Sequence, residues 1–111
     1  MPSGSDHLAA AADRTAFAAI LDAQGRHREA LAPLLEALTA VEVELGRNHY
    51  DVALLLTTMG GVAERAGDFD LAMSHYERAL RIKRRILGAD HADVHGTWTH
   101  LAALRRASKP E

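Results

Sequence analysis

The chain has 111 residues, of which 48% are hydrophobic and 25% charged, with a formal net charge of −2. That is enough apolar material for one continuous core, and it excludes a disordered body and a broadly basic nucleic-acid footprint. The absence of cysteine excludes a disulfide framework, a thiolate metal site and a cysteine nucleophile, and is compatible with a cytoplasmic location.

Taken in chain order, residues 1–6 lack the basic-then-apolar layout of a signal peptide and are expected to form a disordered lead. Five helices are then expected, about His7–Gln24, Arg28–Leu45, Asp51–Ala66, Asp70–Leu87 and Ala92–Ala107, with a frayed tail over 108–111. Gly25, Gly46, Gly67 and Gly88 stand where the first four end, each able to adopt the left-handed backbone that closes a last turn. Pro33 should kink the second helix, because it cannot bond the carbonyl of Glu29. Asp51 and Asp93 occupy helix starts and are expected as N-terminal caps; Asp68 or Asp70 serves the fourth helix. Gly60 and Gly61 interrupt the third helix, each costing about 1 kcal/mol relative to alanine. A close helix crossing would account for Gly60. No apolar run approaches the roughly 18 residues that a membrane span needs.

The order hides a repeat. Leu45-Gly46-Arg47-Asn48-His49-Tyr50-Asp51-Val52 returns 42 positions later as Leu87-Gly88-Ala89-Asp90-His91-Ala92-Asp93-Val94. The same offset pairs Gly25 with Gly67, Ala30 with Ala72, Ala37 with Ala79 and Leu38 with Leu80. A fixed period of this length marks stacked helical hairpins, whose small residues let neighbouring helices approach closely. Leu56, Met59-Gly60, Gly67-Asp68-Phe69, Ala72, Tyr76 and Ala79-Leu80 follow the order and spacing of the tetratricopeptide signature. Phe17-Ala18, Gly25, Ala30, Leu34 and Ala37-Leu38 form a weaker first copy, and Trp98 with Leu101-Ala102 begins a third.

The chain therefore resembles the tetratricopeptide repeat family over about residues 8–107. Its 42-residue period and linker resemble the kinesin-light-chain-type variant, from which it departs in having Tyr50 and Ala92 where proline follows the linker histidine. Thr57, Thr58, Thr99 and His100 also stand where that variant carries asparagine. The resemblance implies an all-α, right-handed solenoid of about two and a half units: repeat 1 about 8–48, repeat 2 about 50–90, terminal helix about 92–107. It implies a protein-binding scaffold or adaptor whose first helices line a concave groove. By the same matching, groove positions would be Thr15, Ala16, Ala19 and Asp22, then Leu54, Thr57, Thr58, Gly61, Glu64 and Arg65, then Thr99, His100, Ala103 and Arg106. With Arg65 and Arg106 against Asp22 and Glu64, such a groove suits a mixed or mostly apolar peptide rather than a terminal carboxylate.

Other chemistry finds little support. His91 and His95 have ligand spacing on a helix but no third ligand at fixed spacing, and recurrence of His49 and His91 favours capping or packing in the linker. No phosphate loop, nucleophile elbow or His-Glu-x-x-His pair is present, so neither an enzyme nor a cofactor is expected. The basic run Arg81, Lys83, Arg84, Arg85 reads as a solvated face, and Trp98 as a buried packing residue. Because repeat units bury their faces on neighbours, an apolar first helix and an unpartnered last helix predict docking through an array end or self-association. Structural stacking of copies, or action in trans within a larger signalling or transcription system, are the alternative roles; neither a nucleic-acid nor a membrane partner is expected.

Overall fold

A computed structural model describes residues 3–108. Five helices follow one another: α1 (Gly4–Ala23), α2 (His27–Leu45), α3 (Tyr50–Arg65), α4 (Phe69–Leu87) and α5 (Ala92–Ser108). They stack in chain order, α1 on α2 and α3 on α4 as hairpins, with α2 on α3 and α4 on α5 joining the units. The result is a slab of 53 × 34 × 18 Å, a small all-α solenoid of about two and a half units.

Small residues set the spacing. Ala30, Ala37, Ala53, Ala63, Ala72 and Ala79 have no exposed surface, so helix backbones approach closely along these rows. Leu34, Val52, Leu56, Met59 and Leu101 fill the space between them and are the largest side chains fully enclosed. Two clusters result, one centred on α1–α3 and one on α3–α5, with Leu31 packed against both. At Gly60 the crossing is so tight that a Cβ atom would stand 2.8 Å from the Tyr76 ring.

Helix ends differ from expectation at several points. Helix α1 begins at Gly4, inside the stretch expected to be a disordered lead. Ser3 caps it: its Oγ accepts the Asp6 N–H at 3.3 Å while the Asp6 carboxylate accepts the Ser3 N–H at 3.0 Å. His7 meets Glu44 of α2 at 2.6 Å and ties this first turn to the next helix. Ser108, expected to open the frayed tail, is instead the last residue of α5, while Met1 and Pro2 of the expected lead and Lys109 to Glu111 of the expected tail lie outside the described residues. Helix α2 runs on through Pro33 without interruption.

The expected caps Asp51 and Asp93 are corrected. The imidazole of His49 caps α3, its Nδ1 accepting the Asp51 N–H at 3.0 Å, and His91 does the same for the Asp93 N–H at 3.0 Å. An imidazole two residues ahead reaches that amide directly, which leaves the two carboxylates free to point elsewhere. Asp68, rather than Asp70, caps α4 by accepting from the Leu71 N–H. Gly46 and Gly88 combine φ of 96° and 87° with ψ of 154° and 156°, an extended mirror-image conformation open to glycine alone. The chain leaves α2 and α4 through this extended glycine into a turn, closed by His49 N–H on the Gly46 carbonyl and His91 N–H on the Gly88 carbonyl, so these two ends are not the left-handed closures expected.

Trp98 is also corrected: half of its surface is exposed. Val94, Thr97, Leu101 and Leu104 make the buried stripe of α5, and at 100° per residue Trp98 falls on the flank of that stripe. It lies there beside Arg84, Val94 and His95, where among the described residues no further helix covers α5.

Candidate functional site

The first helices of successive units, α1, α3 and α5, are cross-linked by polar contacts along one face. Asp22 of α1 receives two hydrogen bonds from the Arg65 guanidinium of α3, at 3.1 and 2.6 Å, and meets His27 at 2.6 Å. The Arg65 hydrogen bonds hold the Asp22 carboxyl below its usual range, and Asp22 in turn raises Arg65. Glu64 of α3 accepts the Tyr76 hydroxyl at 2.8 Å and meets His100 of α5. Tyr76 is pushed well above the ordinary phenol range, first by burial and then by that carboxylate. The His100 ring stands edge-on to Tyr76, with centroids 5.0 Å apart.

The expected groove residues thus fall into three groups. Asp22, Gly61, Glu64, Arg65 and His100 form the polar strip just described, with Arg65 reaching across Gly61, 3.5 Å from where a Cβ there would stand. Asp22 and Arg65 pair as ions, and Glu64 is held by the Tyr76 hydroxyl and the His100 ring. Thr15, Leu54 and Thr58 instead share a cleft of about 450 Å³ between α1 and α3, together with Leu8, Ala11, Ala12, Val41, Leu45, Asp51 and Leu55. Thr15, Thr57 and Thr58 donate their hydroxyls to carbonyls four residues back in their own helices, so they offer a methyl group and a lone pair outward. Ala16, Ala19, Thr57, Thr99, Ala103 and Arg106 join neither group, all exposed but the half-buried Thr57.

A second polar assembly, built around a buried lysine, lies where α4 meets α5. The Lys83 ammonium, 2% exposed, donates to Asp93 at 3.0 Å and to the Thr97 hydroxyl at 3.1 Å. Asp93 also accepts the Tyr50 hydroxyl at 2.6 Å. The Tyr50 bond is the chief cause that holds the Asp93 carboxyl below its usual range, with Lys83 adding to it. The basic run is therefore divided. Lys83 points inward, whereas Arg81, Arg84 and Arg85 remain exposed, so the reading of all four as one solvated face is corrected.

Helical hairpins closed on small residues and repeated every 42 positions have a counterpart among known families. A tetratricopeptide repeat family model matches residues 51–109, and a second model of the same repeat matches residues 14–51. The chain belongs to the tetratricopeptide repeat family. No curated protein matches it. Repeats of this family generally mediate protein–protein interaction, which gives the polar strip and the adjoining cleft their interest as a surface. Among the described residues no helix is long and apolar enough to cross a membrane.

Sequence reasoning did not single out Leu8, Val41, Leu45, Asp51 or Leu55 as cleft residues, or Lys83 as a buried cation. The 42-residue register carried the signal, because Lys83 falls on the position of Val41 and Thr97 on that of Leu55. At these two positions an apolar residue in one copy matches a buried polar residue in the other.

Proposed function

We propose that the chain is an interaction module, acting in the cytoplasm as a scaffold or adaptor, that takes a partner's peptide along the face built by α1, α3 and α5. The observation that carries this reading is the cleft between α1 and α3, which is lined largely by apolar side chains, while Asp22, Arg65 and Glu64 of the adjoining polar strip are already bonded to one another or to Tyr76. A ligand that buries one leucine-sized side chain there would gain about 1.5–3 kcal/mol from desolvation alone. The paired strip would set the ligand's direction through its remaining lone pairs, rather than draw it in by net charge. The 42-residue spacing and the His49 and His91 linkers support the kinesin-light-chain-type variant of the repeat.

Affinity capture followed by crosslinking mass spectrometry tests the reading, with wild type compared against Ala19→Arg/Ala103→Arg and Leu54→Arg/Thr58→Arg. Loss of the captured partner in either variant supports it. Crosslinks confined to the faces of α2 and α4, with capture unchanged in both variants, would sink it.

Association of copies is a second reading. It is favoured by Phe17 and Ile20 on α1 and Trp98 on α5, all half exposed. Light scattering that finds only monomer across the micromolar range would dispose of it.

A further inference from the structure

The two junctions between units are built at equivalent positions but filled with different chemistry. Where α3, α4 and α5 meet, Tyr50, Lys83, Asp93 and Thr97 form the polar assembly around the buried ammonium. Forty-two residues earlier, where α1, α2 and α3 meet, the same positions hold Leu8, Val41, Asp51 and Leu55. All four of these line the 450 Å³ cleft. The carboxylate has been kept, while its hydroxyl and ammonium partners have been replaced by aliphatic groups.

Asp51 consequently lacks the partners that Asp93 has. Its nearest cationic candidate is His49, at 3.8 Å from the carboxylate. The His49 nitrogen concerned already accepts the Asp51 backbone N–H, so while it caps the helix it has no proton to give the carboxylate. This acid stands at the mouth of an open, largely apolar slot, its carboxylate more than half exposed, with no lysine stem beside it.

We infer that the cleft between α1 and α3 receives a lysine side chain from the partner peptide, its methylene stem lying against Leu8, Val41 and Leu55 and its ammonium on Asp51. The incoming lysine then repeats, between molecules, the contact that Lys83 makes with Asp93 within this one. An aliphatic stem with a charged head matches both halves of the lining. Glutamate or aspartate at this place would meet Asp51 with like charge. The inference rests on the proposed peptide-binding face and adds its chemical selectivity.

Titration of the whole chain with three small probes, followed by backbone amide NMR shifts, tests it. Hexylammonium carries both stem and charge, hexanol the stem alone, and hexanoate the stem with the wrong charge. Hexylammonium should shift the Asp51, Leu54 and Thr58 amides saturably and bind about fivefold tighter than hexanol, the upper range for a partly exposed ion pair. Hexanoate should bind more weakly than either. Asp51→Asn should bring hexylammonium down to the level of hexanol and leave hexanol unchanged. The graft Leu8→Tyr/Val41→Lys/Leu55→Thr, which installs the second junction's side chains, should close the cleft to all three probes while circular dichroism stays that of a folded helical protein. Equal binding of hexylammonium and hexanol would overturn the lysine inference and leave the peptide-binding face standing. Shifts confined to residues outside the cleft, or no saturable binding of any probe, would overturn it too.

Discussion

Adjacent glycines in α3 should respond to the same substitution with opposite signs. Replacement of either by alanine removes a helix-interior glycine, a gain of about 0.8–1 kcal/mol if the methyl group has room. At Gly61 it has room: the nearest atoms to a built Cβ are the Arg65 guanidinium at 3.5 Å and the Tyr76 hydroxyl at 3.7 Å, both ordinary contacts. Gly61→Ala should therefore stabilise by about 0.5–1 kcal/mol, raising Tm by roughly 2–8 °C in a domain of this size. At Gly60 the methyl would meet Tyr76 Cε1 and Cζ at 2.8 Å and Cδ1 at 3.0 Å. That ring has little freedom to retreat, being 5% exposed, bonded through its hydroxyl to Glu64 and abutted edge-on by His100. Overpacking of this kind costs about 1–3 kcal/mol, enough to cancel the helix gain and leave a net loss of up to about 2 kcal/mol. Urea and thermal unfolding followed by far-UV circular dichroism decide the matter, and the m value should stay constant in both variants. A Gly60→Ala protein more stable than wild type, or a Gly61→Ala protein clearly less stable, would refute the packing argument. As a control, the loss at Gly60 should shrink in a Tyr76→Leu background, where the obstructing ring is gone.

At the α4–α5 junction the order of effects is the informative quantity. Asp93→Ala leaves the enclosed Lys83 ammonium with Thr97 alone and should cost about 3–5 kcal/mol. Lys83→Met should cost less, because Asp93 keeps Tyr50 and is a third exposed, and Lys83→Met/Asp93→Ala should be more stable than Asp93→Ala. Urea midpoints that place the double variant below Asp93→Ala would contradict this. The carboxyls of Asp22 and Asp93 are lowered on folding from an ordinary value of 3.8, so their contribution is complete above that pH and lost as pH falls through the folded values. Acid unfolding should accordingly be shallower in Asp22→Asn and Asp93→Asn than in wild type, and parallel acid limbs would deny these carboxylates that part. Trp98→Ala should cost less than Leu101→Ala, for which about 2–5 kcal/mol is expected, since half of Trp98 already faces solvent. Equal losses would place Trp98 in the core after all.

Much of the architecture was legible because it depends on residues with few alternatives. Glycines past helix ends mark a stop whichever positive-φ conformation they take, and alanines at zero-clearance crossings and a fixed 42-residue offset leave few alternatives, so the helix pairs follow from them. What was not legible depended on which competing partner a side chain would find. Ser3 and Asp6 form a capping box with aspartate in place of the usual glutamate, so the start of α1 was hidden in what looked like a polar lead. Asp51 and Asp93 had the residue type of a cap but were displaced by the imidazoles two positions ahead. Trp98 matched the aromatic position of the signature, yet burial at that position requires a neighbouring helix on the far flank of α5. Lys83 was grouped with its charged neighbours in sequence, although helical geometry turns it 200° away from Arg81. The polar strip was legible as a set of positions and not as a set of bonds, because pairing of Asp22 with Arg65 depends on the stagger of two non-adjacent helices.

A duplicated unit supplies two near-identical junctions, and near-identity makes their differences interpretable. Asp22 and Glu64 occupy equivalent positions, and each clasps a base on the next first helix, Arg65 in one case and His100 in the other. This part of the junction has kept its polar function in both copies, which is expected if it fixes how successive units sit on the apolar, alanine-rich surface beneath. Alanine rows are nearly featureless along the helix axis, so directional bonds are the available means of fixing register. The opposite part of the junction has not been kept. One copy links Tyr50, Lys83, Asp93 and Thr97 by hydrogen bonds around the buried ammonium, and the other leaves Asp51 beside aliphatic walls. Stability alone does not favour that second arrangement, since filling the cleft would bury more apolar surface and pair the acid. An unfilled cavity beside an unpartnered carboxylate, at a position where the same chain knows how to fill both, is therefore where recognition is best sought.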